Sequence, residues 1–215
     1  MSRKTGVPPG TPDAPYLVLN DPVQQYLVQS GRTFFKGMPF DRLRRMQVDI
    51  ECHTAPGFEF CNSERAEDRI LAIALADQTG WVEVLAGAAL DEAELLRQFV
   101  ARVQERDPDV LEGHNIFNFD LPYIASRARR HGVALSLGRD GSVPTVRPGR
   151  FVAGERTLTY SRFDIFGRQI VDTLFLVHAY DSSHRALDSF GLKEVAAHFG
   201  LRRPGRTLIE GGDIA

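Results

Sequence analysis

The sequence predicts an α/β protein with a mixed sheet, in which three antiparallel strands are followed by parallel strands, all flanked by helices. Two observations predict this class. Three strand-like apolar runs come first, and a short Gly-containing loop separates the last two, as is typical of a hairpin. Helical and strand-like patterns then alternate toward the carboxyl end, which is typical of parallel strands joined by crossover helices.

Size and composition indicate a folded protein with a real core. The chain has 215 residues, of which 43% are hydrophobic and 25% charged. Its net charge of −2 argues against a protein that coats duplex DNA, but not against an enzyme that holds a few nucleotides. Cys52 and Cys61 fit neither a metal site nor a disulfide framework. Since the sequence shows no secretory signal and no apolar run of about 18 residues, we predict a soluble cytoplasmic protein without a membrane partner.

We expect two regions in the chain. Residues 1–45 are predicted to form an N-terminal lead and a packing appendage, and residues 46–215 the main domain. The appendage begins with a Pro- and Gly-rich stretch and a strand-like run at 16–19, followed by a helix that Asp21 caps and Pro22 opens. The residues expected to pack it onto the next strand are Phe34, Phe35, Met38 and Phe40.

The first strand of the main domain, predicted over 46–52, carries two carboxylates. Asp49 and Glu51 lie two residues apart, so they face the same side of a strand at a separation of roughly 6.7 Å. Both can then converge on divalent cations, which lie about 3.5–4 Å apart in two-metal sites. An acidic pair of this kind also fits the solvent-exposed face of an edge strand.

A further acidic position, Asp120, follows the strand-like run at 110–114. A helical pattern begins there with Pro122 in its first turn, so the carboxylate is predicted first to cap the helix. Capping explains an aspartate before Leu-Pro. It does not explain Asn115 and Phe119 just before it.

Two short motifs, Asp-x-Glu at 49–51 and Asn-x-x-x-Phe-Asp at 115–120, together resemble the first and second exonuclease motifs of one family. This is the 3′→5′ exonuclease domain of family B DNA polymerases, within the DEDD superfamily on the ribonuclease H-like fold. The resemblance extends from about Val48 to about Phe199. It implies a ribonuclease H-like fold and a proofreading-type 3′→5′ exodeoxyribonuclease.

The resemblance also implies site residues, metals and partners. The implied catalytic residues, which are also the implied ligands of two Mg²⁺ or Mn²⁺ ions, are Asp49, Glu51 and Asp120. The implied nucleotide-binding residues are Asn115, Phe119 and Tyr123. Asp172 is a further candidate ligand, although local hydrogen bonds explain it as well. Single-stranded DNA 3′ ends are the implied partner, RNA stays open, and a polymerase region of the parent protein is a further implied partner.

The chain departs from the family pattern after Phe199. The third motif should supply a fourth carboxylate, preceded four residues earlier by Tyr or five residues earlier by His. The one aspartate that remains is Asp213, and Leu208 and Ile209 stand where the Tyr or His would be. We favour a chain truncated before the third motif. The alternatives are a catalytically incomplete nucleic-acid-binding module and a structural domain that binds a protein partner.

Basic residues gather in two places. The arginines at 127–130, with His131, are predicted to form an exposed face at a helix carboxyl end. Residues 138–168 hold six arginines and three acidic residues, which predicts a hairpin that faces nucleic acid; a solubilising loop explains the composition equally well. Residues 167–177 are then expected to form a buried strand, and 192–199 a helix that Gly200 ends.

Overall fold

The structure is a computed structural model. It describes residues 6–8, 11–12, 14–16, 19, 21–32, 37–86 and 91–201. The chain forms two compact units, Met1–Arg42 and Leu43–Ala215.

The first unit contains the predicted helix, α1 (Pro22–Ser30). Asp21 caps it, as predicted, by accepting a hydrogen bond from the backbone N–H of Val23 at 2.8 Å. The helix ends at Gly31, whose φ of 67° is one that glycine adopts without strain. Of the apolar residues expected to pack this region, Met38 and Phe40 are exposed, with 37% and 65% of their surface accessible. The strand-like residues Leu17 and Val18, and also Phe34 and Phe35, lie outside the described residues.

The second unit is built on a mixed five-stranded sheet. The strands of the described chain are β1 (Arg45–Cys52), β2 (Ile70–Asp77), β3 (Val82–Ala86), β4 (Val110–Gly113), β5 (Thr145–Ala153), β6 (Arg156–Asp164) and β7 (Gln169–Asp172). The sheet order is β3-β2-β1-β4-β7, while β5 and β6 form a separate hairpin. Strands β1, β2 and β3 are antiparallel, whereas β4 is parallel to both β1 and β7. The predicted fold class is therefore confirmed.

Four helices accompany these strands in the described part of the second unit. They are α2 (Glu92–Arg106), α3 (Asp120–Arg130), α4 (Thr173–His184) and α5 (Leu192–His198). The strand predicted over 167–177 was too long, because α4 begins at Thr173. Asp172 stops β7 there by capping α4 through the backbone N–H of Leu174, at 3.0 Å. None of the helices in these ranges combines the length and apolar character that crossing a bilayer needs.

The core lies between one face of the sheet and helices α2 and α3. Strand β1 alternates strictly, so Met46, Val48 and Ile50 are buried while the intervening side chains face the other way. Fully buried residues of β2, α2 and α3 complete the cluster, among them Ile73, Leu75, Leu95, Phe99, Leu121 and Ile124. Each such side chain contributes about 1.5–3 kcal/mol by leaving water.

The prediction of an exposed basic face at the end of α3 was wrong for Arg127, which is 1% exposed. Its guanidinium donates to both carboxylate oxygens of Glu92, at 2.7 and 2.5 Å, and to the carbonyl of Arg65 at 2.7 Å. Glu92 opens α2, and the packing of α2 against α3 brings the two side chains together. Arg127 thus fixes the loop that leads from β1 to β2, whereas Arg129 stays exposed on the same helix.

Candidate active site

The two carboxylates of β1 lie on the face of the sheet opposite to the core. Asp49 and Glu51 are exposed, as the alternation of the strand requires. Their cross-strand neighbours in β2 are Ala74 and Ala72. Because alanine is small, neighbouring side chains on this strand leave both carboxylates accessible.

The second motif meets β1 where the pairing with β4 ends. Strand β4 pairs with β1 only over Arg45–Gln47, and the chain then turns away after Gly113. A Cβ atom on Gly113 would lie 2.9 Å from the carbonyl oxygen of Val48, so this close approach requires glycine. Beyond it, Asp120 Oδ1 accepts a hydrogen bond from the backbone N–H of Ile50 at 3.2 Å. Ile50 is the middle residue of the Asp-x-Glu motif, so the two motifs are joined directly.

Asp120 is therefore not the helix cap that the sequence predicts. The N-cap position of α3 falls on Phe119, which makes no side-chain capping bond, and Asp120 is the first residue of the helix. Its carboxyl group is buried and accepts a hydrogen bond from a strand residue 70 positions earlier in the chain. Burial, the charge of Asp49 and, to a smaller extent, the charge of Asp172 together raise the pKa of Asp120 to about 7.

The carboxylates of the two motifs influence one another through Asp49. Burial and the charge of Asp49 raise the pKa of Glu51, while Lys193 opposes that shift. Like-charged oxygen donors of this kind are the ligands that Mg²⁺ and Mn²⁺ prefer. Within the described ranges, however, no group of three or more His, Cys, Asp or Glu side chains is arranged so that it could hold a metal ion.

A tight turn shapes the second motif around Asn115. This residue has a φ of 68°, a left-handed conformation that asparagine tolerates better than most residues. Its carbonyl oxygen accepts hydrogen bonds from the backbone N–H groups of Phe119 and Asn118, at 2.9 and 3.1 Å. The backbone thus gives a reason for asparagine here that is separate from any contact of its side chain.

Asp172 holds this turn in place. Its buried carboxylate accepts hydrogen bonds from the N–H groups of Asn115 and Phe117, at 2.8 and 3.2 Å, in addition to the capping bond from Leu174. One of the three bonds is local, as expected, but two reach back more than 50 residues. They give Asp172 a structural role in the second motif.

The aromatic residues of the second motif differ in their access to solvent. The ring of Phe119 is partly exposed and lies 5.6 Å from the ring of Tyr123, measured between centroids. Tyr123 was expected to contact nucleic acid, but it is buried in the core and its hydroxyl donates to the carbonyl of Asp68 at 2.7 Å. Tyr123 therefore supports Phe119 from the interior.

Sequence reasoning missed His114, which links three elements. Its Nε2 lies 2.8 Å from the carbonyl oxygen of Phe190, so this nitrogen carries the proton that it donates. Its Nδ1 lies 3.1 Å from the hydroxyl of Thr173, at the start of α4. The only signal in the sequence was its position next to Asn115.

Sequence reasoning also missed two surface aromatics in the loop after β1. Phe58 and Phe60 are 56% and 74% exposed. The guanidinium of Arg65 lies 3.7 Å from the centroid of the Phe58 ring, a cation–π contact. Exposed rings beside a cation are a combination on which single-stranded bases stack.

The predicted hairpin within 138–168 is present as β5 and β6, but most of its charge is already paired. Arg147 and Arg162 both contact Asp164, at 2.5 and 2.9 Å, and Arg156 contacts Asp181 at 3.4 Å. Arg150 is exposed on the hairpin surface.

The inner face of the hairpin packs on the second motif. Tyr160 lies 4.9 Å from Phe117 between ring centroids, and Phe151 stacks on Phe175 at 4.7 Å. Gly149 is needed opposite Tyr160, because a Cβ atom there would lie 2.5 Å from the tyrosine ring. The hairpin is thereby tied to the loop that carries Asn115 and Phe119.

A mixed sheet with two carboxylates on its central strand, and a third joined to that strand from a helix, places the protein in the ribonuclease H-like class. The model of the family described as "DNA polymerase family B, exonuclease domain" matches residues 81–195, slightly more than half of the chain. The chain belongs to this family. The predicted resemblance is confirmed, and with it a domain of the nuclease type.

The relatives are much longer than this chain. The chain is 29% identical over 208 residues to DNA polymerase 2 of Aeropyrum pernix. The aligned region covers 96% of the chain and 23% of that polymerase. It is 33% identical over 136 residues to a DNA polymerase of Pyrococcus glycovorans, over 58% of the chain and 16% of the polymerase. The solved structure of the family B DNA polymerase from Pyrobaculum calidifontis superposes with a TM-score of 0.63 at 30% identity, over 80% of the chain and 20% of that structure. The chain thus spans between 16% and 23% of the length of these relatives.

Proposed function

We propose that this chain is a metal-dependent exonuclease domain that hydrolyses the 3′-terminal phosphodiester of single-stranded DNA. The observation that carries the proposal is the hydrogen bond between the backbone N–H of Ile50 and Asp120, which joins the two acidic motifs. Membership of the family B exonuclease domains supports it. Since the relatives are DNA polymerases, we further propose DNA as the substrate and a polymerase region as the natural neighbour.

The proposed metal ligands are Asp49, Glu51 and Asp120, holding two Mg²⁺ or Mn²⁺ ions. Their oxygen donors suit these cations. Burial and, less strongly, the charge of Asp49 raise the pKa values of Glu51 and Asp120, and divalent cations would offset this repulsion by Asp49. Bound ions would activate the attacking water and stabilise the leaving 3′-oxygen.

The reaction breaks the bond between phosphorus and the 3′-oxygen and forms a bond between phosphorus and the oxygen of water. The leaving oxygen takes up a proton as the new 3′-hydroxyl, and the product is a nucleoside 5′-monophosphate. In this proposal the side chains of Asn115 and Phe119 position the terminal nucleotide by hydrogen bonding and stacking. Phe58 and Phe60 offer stacking surfaces for neighbouring bases.

We also propose that the β5–β6 hairpin lies alongside the nucleic acid. Its attachment to the second motif through Phe117 and Tyr160 supports this placement. The ion pairs of its arginines with Asp164 and Asp181 favour the alternative, a solvated hairpin without a ligand. Replacing exposed Arg150 by Gln separates the two, since only a hairpin that contacts DNA would lose affinity and show a shallower salt dependence.

Digestion of a 5′-labelled single-stranded DNA with Mg²⁺ or Mn²⁺ tests the main proposal. We expect a ladder that shortens from the 3′ end and disappears in Asp49→Asn, which keeps the shape of the side chain. Asp91→Asn is the matched control, because Asp91 is an exposed aspartate that caps α2. Cleavage by Asp49→Asn at the wild-type rate would contradict the assignment.

A second candidate function is a nucleic-acid-binding module without cleavage. It is favoured by the finding that the described residues contain no ready-made cluster of metal ligands. The expected third-motif positions Leu208, Ile209 and Asp213 lie outside the described residues. Metal-independent binding of single-stranded DNA without a ladder would support this second function.

A further inference from the structure

A cavity of about 440 Å³ lies between the β5–β6 hairpin, strand β7 and the start of helix α4, and we call it the hairpin cavity. Its volume falls within the range of roughly 300–1,000 Å³ that is usual for the binding sites of small molecules. Neither Asp49, Glu51 nor Asp120 lines it, so the cavity is separate from the proposed metal ligands. It has no part in the cleavage reaction proposed above.

Four aromatic rings line one side of the hairpin cavity. They come from the second motif, from both strands of the hairpin and from α4, and they are Phe117, Phe151, Tyr160 and Phe175. The centroid of the Phe175 ring lies 4.7 Å from that of Phe151 and 4.8 Å from that of Tyr160. Phe117 and Phe175 are buried, whereas Phe151 and Tyr160 are half-buried and present ring surface to the cavity. A planar heterocycle stacks on surface of this kind.

Positive charge lies beside this ring surface, on the same face of the hairpin. Gly149 is the cross-strand partner of Tyr160, and Arg147 is the partner of Arg162 two residues further along. Because successive side chains of a strand alternate, Arg162 lies on the same face as Tyr160, roughly 6.7 Å along the strand. Arg147 and Arg162 both pair with Asp164, so these three groups keep an excess of one positive charge.

The other polar groups of the cavity wall divide into two kinds. Arg168 and Asp172 are buried, opposite in charge and engaged elsewhere, since Arg168 donates to the carbonyl of Leu137 at 2.8 Å and Asp172 holds the turn of the second motif. Tyr160 and Gln169 are uncharged. In the part of the chain that the structure describes, neither the hydroxyl of Tyr160 nor the side-chain amide of Gln169 makes a hydrogen bond. Both groups can therefore bond with the polar edge of a heterocycle.

We propose that the hairpin cavity binds a nucleotide, with the base against Phe151 and Tyr160 and the 5′-phosphate at Arg147 and Arg162. Ring surface and excess positive charge at neighbouring positions of one hairpin face match a ligand that is planar at one end and anionic at the other. Two sources supply such a ligand, a free nucleoside 5′-monophosphate and a nucleotide within a single strand. The inference goes beyond the proposed exonuclease function and does not depend on it. The alternative is that the rings only attach the hairpin to α4.

Methyl NMR of the 215-residue protein tests this inference. EDTA is present, so that no divalent cation holds a nucleotide at the acidic motifs. The probes are deoxyadenosine 5′-monophosphate (dAMP), deoxyribose 5-phosphate, which lacks the base, and hexadeoxyadenylate as the single strand. The methyl signal of Ile170 reports on the cavity wall, and that of fully buried Ile73 is the reference for an intact core.

Two variants alter the two ends of the proposed site, and each has a matched control. Phe151→Leu removes a ring but keeps an apolar contact with Phe175, and Arg162→Gln removes one charge. The controls are Val152→Leu and Arg150→Gln. Val152 and Arg150 are exposed and alternate with Phe151 along β5, so they lie on the outer face of the hairpin.

We expect dAMP to shift the Ile170 signal of the wild-type protein saturably and to leave the Ile73 signal unchanged. Deoxyribose 5-phosphate should bind about tenfold more weakly than dAMP, because it offers no base for stacking. Phe151→Leu should weaken dAMP binding by about tenfold for the same reason. Arg162→Gln should weaken it by about threefold, since it removes one cation from a solvent-exposed position. Both controls should bind dAMP as the wild type does.

The inference is overturned if dAMP leaves the Ile170 signal of the wild-type protein unchanged, or if deoxyribose 5-phosphate binds as tightly as dAMP. Unchanged dAMP affinity in Phe151→Leu would overturn the placement of the base, and unchanged affinity in Arg162→Gln that of the phosphate.

The single strand separates the two sources of the nucleotide. If hexadeoxyadenylate also shifts the Ile170 signal and Phe151→Leu weakens this binding, a nucleotide within a strand enters the cavity. A shift with dAMP alone identifies the free nucleoside monophosphate as the ligand. Cleavage of DNA in Mg²⁺ by a protein whose Ile170 signal responds to neither probe would overturn this inference and leave the proposed exonuclease function standing.

Discussion

Replacing Arg127 by Met should destabilise the protein far more than any exposed arginine would. Arg127 is 1% exposed, and its guanidinium makes two charged hydrogen bonds to Glu92 and donates to the carbonyls of Ser63, Arg65 and Ala66. Removing one partner of such a buried pair costs about 3–5 kcal/mol, since the remaining charge is left buried. For a chain of this size that corresponds to a fall in Tm of roughly 6–20 °C.

Urea denaturation followed by circular dichroism measures the effect, with Arg129→Met as the matched control. Arg129 lies two residues further on the same helix and pairs with Glu64 at 3.0 Å, but it is exposed. Its replacement should change stability little. The double variant Glu92→Gln with Arg127→Met should recover part of the loss, because it removes the buried charge of Glu92. Equal stability of Arg127→Met and Arg129→Met would refute the reasoning.

Three further changes test the contact between the Asp-x-Glu motif of β1 and the second motif, and the turn that supports it. Gly113→Ala should cost about 1–3 kcal/mol by overpacking against Val48, measurable as a lower urea midpoint; an unchanged midpoint would show that the strands separate easily. Asp172→Asn should slow cleavage and lower stability, because an amide has one acceptor oxygen where the carboxylate uses two; wild-type rates and stability would contradict this role. In protein freed of metal ions by a chelator, the raised pKa of Asp120 means that the folded state binds the proton of this carboxyl group more tightly than the unfolded chain does. The contribution of Asp120 to stability is therefore full near pH 4 and is lost as pH rises through about 7. Relative to the wild type, Asp120→Asn should lack this loss of a few kcal/mol, and parallel stability profiles of the two proteins between pH 4 and 8 would argue against the shift.

Periodic features of the fold were predictable from the sequence, because periodicity is a local property. The alternation of β1 placed Met46, Val48 and Ile50 on one face and the two acidic residues on the other, and the structure has the same arrangement. The start of α3 and the cap of α1 were predicted for similar reasons, since a proline in the first turn marks the beginning of each helix and lies within a few positions of it.

Partners distant in the sequence were not predictable. A carboxylate at a helix start can serve its own helix or a strand far away, and nothing next to Asp120 indicates that it reaches Ile50. Arg127 is buried because Glu92 arrives from another helix, whereas the local pattern only shows a basic helix end. Tyr123 resembled a surface aromatic in the motif, but packing directs its hydroxyl to the carbonyl of Asp68.

Binding of Mn²⁺ followed by electron paramagnetic resonance is the most direct test of whether the three carboxylates form one metal site. We predict that the wild-type protein binds Mn²⁺ and so lowers the signal of free Mn²⁺. Asp49→Asn and Asp120→Asn should each weaken this binding by about tenfold or more. The control Asp91→Asn should bind as the wild type does. Equal Mn²⁺ affinity in all four proteins would contradict the proposal that Asp49 and Asp120 share one metal site.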